Sequence, residues 1–275
     1  MTANENRRFD LLDLESTEDE HRYRLAVRAD LATPFGFLYG GSGIAAAAEA
    51  AERATGRPLQ WITTQFIGSP APGSVIDLQV TIPANGRATT QSQVVATIDG
   101  DLVFTALCAH TIRESGDGEQ FVVMPKVASP DECSTMHAPF EIDVSDSFFR
   151  TMERRLGSGS FGMEAVGQPQ HGGLSMWCRI VDDVIGSPAT QAYVADIIPM
   201  GIGAALGAMP GATSVDNTLR VIDPEPSEWV LLELIPEGFH RSLGHGSLRV
   251  WSEDGRLMAT AQQTCIVRTS HHHGG

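Results

Sequence analysis

Lysine is almost missing from this chain: Lys126 stands alone among nineteen basic residues, against thirty-four acidic ones, and the net charge is −15. That balance excludes a nucleic-acid backbone as the partner and makes an anionic membrane surface unfavourable. Any anionic ligand needs a local patch of arginine. The four cysteines, Cys108, Cys133, Cys178 and Cys265, are too few and too scattered for a secreted disulfide framework. Without a C-x-x-C spacing they point to no zinc site. No stretch approaches about 18 uninterrupted apolar residues, and the start MTANENRRFDLLDLE lacks the apolar core of a secretory signal, so no membrane span is expected. These absences place the chain in the cytoplasm. The three histidines at 271–273 read as a tail or expression remnant, and no metal is expected.

What is present is an ordinary globular balance over 275 residues, 42% hydrophobic and 19% charged. That length suits two domains, each of about 100 to 150 residues. The chain also repeats itself. Residues 99–113 read DGDLVFTALCAHTIR, and residues 254–268 read DGRLMATAQQTCIVR, at an offset of 155. Upstream, Pro70 and Pro72 fall on Pro224 and Pro226 at an offset of 154. Each copy predicts a helix of small residues, a strand, a Pro-x-Pro turn and further strands with period-two alternation, such as Ile76, Leu78, Val80 and Ile82. A Pro-, Ser- and Gly-rich stretch without periodicity separates them. The expected division is a domain over 1–125, a linker over 126–145 and a second domain over 146–275.

The first helix, from about Ser42 to Ala54, is a thin rod of alanine with Glu49 and Arg53 as an exposed i,i+4 pair. The second is expected in IIPMGIGAALGAMPG, with Pro199 in its first turn and Asp196 just ahead, complementing the helix dipole. Gly41-Ser-Gly43-Ile-Ala-Ala46 fits the G-x-G-x-x-[G/A] dinucleotide fingerprint, but the following strand PLQWITTQFIG carries no acid. The glycines then serve close packing of helix and sheet, while their amides remain available as donors.

A glycine-opened alanine helix, a Pro-x-Pro turn and long strands closing on DGRLMATAQQTCIVR, all occurring twice, resemble the double hotdog acyl-CoA thioesterases, the TesB-like group. The resemblance implies an α+β double hotdog: two tandem antiparallel sheets, each wrapped around a central helix and joined edge to edge. It also implies hydrolysis of an acyl-CoA thioester without a cofactor, in lipid metabolism, with a homo-oligomer left open. The family's catalytic acid follows the second helix in a pattern like S-L-D-H-S-M-W, which puts Asp216 of SVDNTLRV in that role. Its glutamine, in a segment like V-Q-E-G-V-M-R, corresponds to Gln263. Its threonine falls on Glu237, a departure from the pattern.

The repeat marks Gln263 independently. Leu257, Ala259, Ala261, Cys265 and Val267 share an apolar strand face that Gln263 alone interrupts, and Cys108 stands there in the first copy. In the expected mechanism Asp216 deprotonates water, Gln263 orients it, and amides near Gly41 and Ser42 meet the oxyanion. Arg220 and Arg241 are candidates for the phosphates of coenzyme A. Two alternatives stay open: a hotdog enoyl-CoA hydratase working through a histidine and an aspartate, and a non-catalytic acyl-CoA binding protein.

Overall fold

A computed structural model describes residues 9–112, 118–137, 143–209 and 211–268. The histidines at 271–273, Arg113 at the end of the first repeat and residues 138–142 of the expected linker lie outside the described residues. Helix α1 (Gly40–Thr55) is built from the alanine run and stops where Gly56, at φ 64°, closes the end with its N–H on the Glu52 carbonyl. The first-half strands are β1 (Glu15–Ser16), β2 (Arg22–Ala26), β3 (Leu59–Phe66), β4 (Val75–Asn85), β5 (Thr89–Ile98) and β6 (Asp101–Thr111). The second half adds β7 (Ser134–Thr135), β8 (Met152–Ser158), β9 (Leu174–Ile180), β10 (Gly211–Val221), β11 (Val230–His240), β12 (Leu243–Ser252) and β13 (Leu257–Arg268).

These strands form one continuous antiparallel sheet, in the order β1, β2, β4, β5, β6, β3, β10, β13, β12, β11, β9, β8, β7. The expected edge-to-edge joining is seen where β3 and β10 pair directly across the middle, so the two expected tandem sheets are corrected to one continuous sheet. Outward from that seam the two halves repeat one order: β3, β6, β5, β4, β2 on one side and β10, β13, β12, β11, β9 on the other. Thr63 and Thr218, which are 155 residues apart, share a 2.8 Å hydroxyl contact across the seam. Partners separated by the repeat offset are what a twofold relation between the halves requires.

The second helix differs from expectation. It is two short helices, α2 (Pro188–Ala195) and α3 (Ile198–Leu206), broken at Asp196 and Ile197. Pro199 supplies the reason, since its ring displaces the carbonyl of residue 195 and it has no N–H to continue the ladder. α1 packs against β2 to β6, α3 against β11 to β13, and α2 lies on α1. Glu49 and Arg53 do pair, but not on the surface: Glu49 is 6% exposed, and Arg53 also donates to the Leu14 carbonyl at 2.6 Å. The N-terminal segment covers a helix face that periodicity alone assigns to solvent. No helix among the described residues is long and apolar enough to cross a membrane.

Candidate active site

The break between α2 and α3 leaves Asp196 at the C-terminal cap of α2, aimed at the first turn of α1 and only 6% exposed. One carboxylate oxygen, Oδ1, accepts hydrogen bonds from Asn217 Nδ2 at 3.0 Å and Gln263 Nε2 at 2.6 Å. The carboxylate also accepts from the backbone N–H of Gly41. Burial outweighs these three donors and pushes the carboxyl up to about 7. The close approach explains two glycines: a Cβ at Gly40 would overlap the Asp196 carboxylate, and one at Gly41 the Tyr193 carbonyl and the Tyr39 ring.

Gln263 is 3% exposed, on the inward face of β13. Its Nε2 is shared between Asp196 and Ser214 Oγ, the latter at 2.7 Å. Its Oε1, like Asn217 Oδ1, is buried without a protein partner. Ser214 faces the same way because a bulge in β10 between Ser214 and Asp216 inserts one residue and rephases the strand. Asn217, Leu219 and Val221 then continue the buried face.

The same bulge decides the position of Asp216. Its Oδ1 accepts the Thr264 backbone N–H at 2.7 Å, replacing a ladder partner where the register slips. Asp216 does not join Gln263 around a common centre. Glu237 is exposed on a bulge of β11, where it accepts the Ser247 hydroxyl, and it too stands apart. Of the two first-turn residues expected at the oxyanion, Gly41 gives its amide to Asp196, while the buried Ser42 hydroxyl donates to the Leu31 carbonyl at 3.0 Å. Gly40 is the first-turn residue that opens on the pocket. The structure therefore brings Gln263 and Gly41 together, around an aspartate that the sequence reading assigned only to the helix dipole.

That aspartate had a signal. It is the one charged residue between Asp183 and Asp216, inside a run too apolar to be exposed. Asn217 and Ser214 had none, since a bulge is invisible to strict alternation.

Asp196, Gly40 and Ser214 end a pocket of about 180 Å³ whose walls include Phe35, Phe37, Phe66, Phe104, Phe148 and Phe149. Pro199 and Met200 of α3 and Ala212 and Thr213 of β10 complete it, so both halves of the chain contribute. Among the described residues no histidine lines it. His110 is buried at 0% exposure between Ser92 Oγ at 2.8 Å and the Arg57 carbonyl at 3.1 Å. Burial pushes its pKa down, and its hydrogen bonds tie it into the packing of the first half.

Comparison with known proteins follows the same outline. Residues 29–111 match the acyl-CoA thioesterase N-terminal domain, and residues 130–267 match the acyl-CoA thioesterase C-terminal domain. Among solved structures, a candidate thioesterase from Novosphingobium aromaticivorans is 29% identical with a TM-score of 0.83, covering 93% of this chain and 98% of its own. A hotdog-fold protein of unknown function from Alicyclobacillus acidocaldarius is 21% identical with a TM-score of 0.80, covering 93% and 96%. Acyl-CoA thioesterase II TesB2 from Mycobacterium marinum is 15% identical with a TM-score of 0.74, covering 97% and 98%. The last two establish likeness of fold. No functionally curated protein matches this chain. With both domain models matched in order and along most of its length, the chain belongs to the acyl-CoA thioesterase family.

Proposed function

We propose that the chain hydrolyses acyl-CoA thioesters to a free acid and coenzyme A, with Asp196 as general base at one site shared by both halves. The observation that carries this reading is a buried carboxyl with a pKa raised to about 7, facing an aromatic pocket. An ordinary carboxylate is a weak base at neutral pH, and lifting its pKa toward the working pH is what base catalysis needs. Asp196 and the unpartnered Gln263 Oε1 both accept, so together they hold the two O–H groups of an attacking water. Ser214 and Asp196 fix the other end of the Gln263 amide and so keep Oε1 presented.

The oxyanion falls to the first turn of α1. Ser42 and Gly43 donate their N–H groups to the Tyr39 carbonyl and Gly41 donates to Asp196, which leaves the Gly40 amide for the pocket. A preorganised donor of this kind typically contributes about 3 to 4 kcal/mol to the transition state. The water proton passes to Asp196 and then to the departing sulfur of coenzyme A. Neither a covalent intermediate nor a cofactor is required. A cavity of about 180 Å³ is close to the roughly 150 Å³ that holds a benzene ring, so an aryl group or a chain of about six carbons fits its aromatic walls.

Thiol release from acyl-CoAs graded in length and branching tests the reading. Release that is fastest for compact acyl groups is expected. Tight acyl-CoA binding without release would make the chain a binding protein, and hydration of an enoyl-CoA without release would make it a hydratase.

A further inference from the structure

We propose that Arg268 and Arg241 hold the phosphates of coenzyme A at the rim of the pocket; the identity of this ligand rests on the thioesterase reading. Three neighbouring strands end together there. Gly211 to Thr213 of β10 pair with Arg268 to Ile266 of β13, and the Val267 N–H donates at 2.8 Å to the carbonyl of Ser242, just ahead of β12. Ala212 and Thr213 line the pocket, and Arg268 Nη1 donates to Thr213 Oγ1 at 2.9 Å. Arg241 sits in the turn before β12, in the left-handed region at φ 49°, two strand spacings or about 10 Å from β10. His240 and His245, both exposed, belong to the same end of the sheet.

Charge singles out this corner. Five of the nine arginines between 150 and 268 pair with carboxylates, Arg150 with Asp146, Arg155 and Arg179 with Glu153, Arg249 with Glu233 and Arg256 with Asp223, while Arg154 is buried and Arg220 lies far along β10. Arg241 and Arg268 enter no ion pair among the described residues. The acids on neighbouring strands are engaged elsewhere, Asp216 by the Thr264 amide and Glu237 by the Ser247 hydroxyl. On a chain of net charge −15, two uncommitted guanidinium groups beside the pocket give an anionic ligand a local attraction that the whole surface denies it.

The span also fits. Ser214, which touches Gln263, pairs with Cys265, three residues and about 10 Å of strand from Arg268. The pantetheine arm of coenzyme A, with more rotatable bonds than three residues of backbone, covers that distance from a thioester at Asp196. Arg220, the other arginine considered from the sequence, lies toward the opposite end of β10, paired with Trp61 of β3, about 20 Å along the strand from Ser214.

The test is calorimetric binding of free coenzyme A to the wild-type chain and to the Arg241→Glu/Arg268→Glu double variant, at low and physiological salt. The expected result is a Kd raised at least tenfold in the double variant and a shallower salt dependence, with an unchanged melting temperature because both side chains are exposed. In kinetics, KM for acyl-CoA should rise at least tenfold more than KM for the matching acyl-pantetheine, which carries no nucleotide. Equal losses for the two thioesters, coenzyme A binding within twofold of wild type, or no binding by the wild type would each overturn the proposal. Binding of coenzyme A needs no turnover. A chain that binds it through these arginines yet hydrolyses no thioester would sink the thioesterase reading and leave this inference standing.

Discussion

In the first half of the sheet Ile62 of β3 lies opposite Cys108 of β6; 155 residues later Asn217 of β10 lies opposite Gln263 of β13. All four are buried, from 0% to 3% exposed. The first pair is ordinary core, and burial holds the Cys108 thiol neutral by pushing its pKa up to about 12. The second pair donates two amide N–H groups to a carboxylate. The acid extends the contrast: Asp196 accepts from both amides, whereas Ile62 and Cys108 have no side-chain amide to offer a carboxylate. Strands in the same order therefore carry a hydrogen-bonded polar cluster at this place in one half and an apolar pair in the other. Raising a carboxyl to about 7 opposes folding, and the first half carries a comparable load elsewhere, at Glu52 of α1, which burial raises to about 7 and whose Oε1 accepts the Leu59 N–H.

The sharpest way to break this comparison is to remove the acid. Asp196→Asn keeps shape and lowers turnover by about 100-fold or more, the scale of a lost general base; steady-state thiol release measures it. Making the second half resemble the first is the next step. Gln263→Cys should cost roughly tenfold to a hundredfold in turnover, because the water loses its second acceptor, while the melting temperature stays near that of the wild type. Full activity in a folded Gln263→Cys protein would show that the amide is only structural.

The reverse graft, Cys108→Gln, should create no activity, since Ile62 stands where Asn217 does and the Glu52 carboxylate is held by the Leu59 N–H. It should cost about 1 to 3 kcal/mol in denaturant unfolding for a buried amide without partners. The smallest effect belongs to Asp216→Asn. Its amide oxygen still accepts the Thr264 N–H, so turnover should stay within about twofold and stability within about 1 kcal/mol of the wild type. A hundredfold loss there would return the role of base to Asp216.

Much of this architecture was legible in the sequence, because duplication writes the same alternation twice. Ile76, Leu78 and Val80 are buried in β4, as period two demands. Gln263 was legible for the same reason: it is the one amide that interrupts an apolar row on a core strand. The acid was not. Counting residues after the second helix leads to Asp216, but the bulge at Ser214 rotates β10 so that Asp216 repairs the ladder and Ser214 and Asn217 turn inward. Asp196 was hidden by the assumption of a single helix. Pro199 breaks that helix, and the break converts a residue expected to decorate a helix end into a buried cap aimed at Gly41. The edge-to-edge joining comes from the family resemblance, since alternation within β3 and β10 does not by itself say that they pair with each other.

The most direct test follows kcat/KM and thermal stability of the wild type and Asp196→Asn between about pH 5 and 8. The Asp196 pKa is raised from 3.8 to about 7 in the folded chain, so the fold favours the protonated acid. That contribution is complete below about pH 4 and is lost as pH rises through about 7. Catalysis needs the deprotonated form and moves the opposite way. The account predicts that wild-type kcat/KM climbs to a plateau with a midpoint near 7 while its melting temperature declines over the same interval, a decline missing from the nearly inactive Asp196→Asn. A flat wild-type profile, or an Asp196→Asn protein with turnover within twofold of wild type, would contradict it.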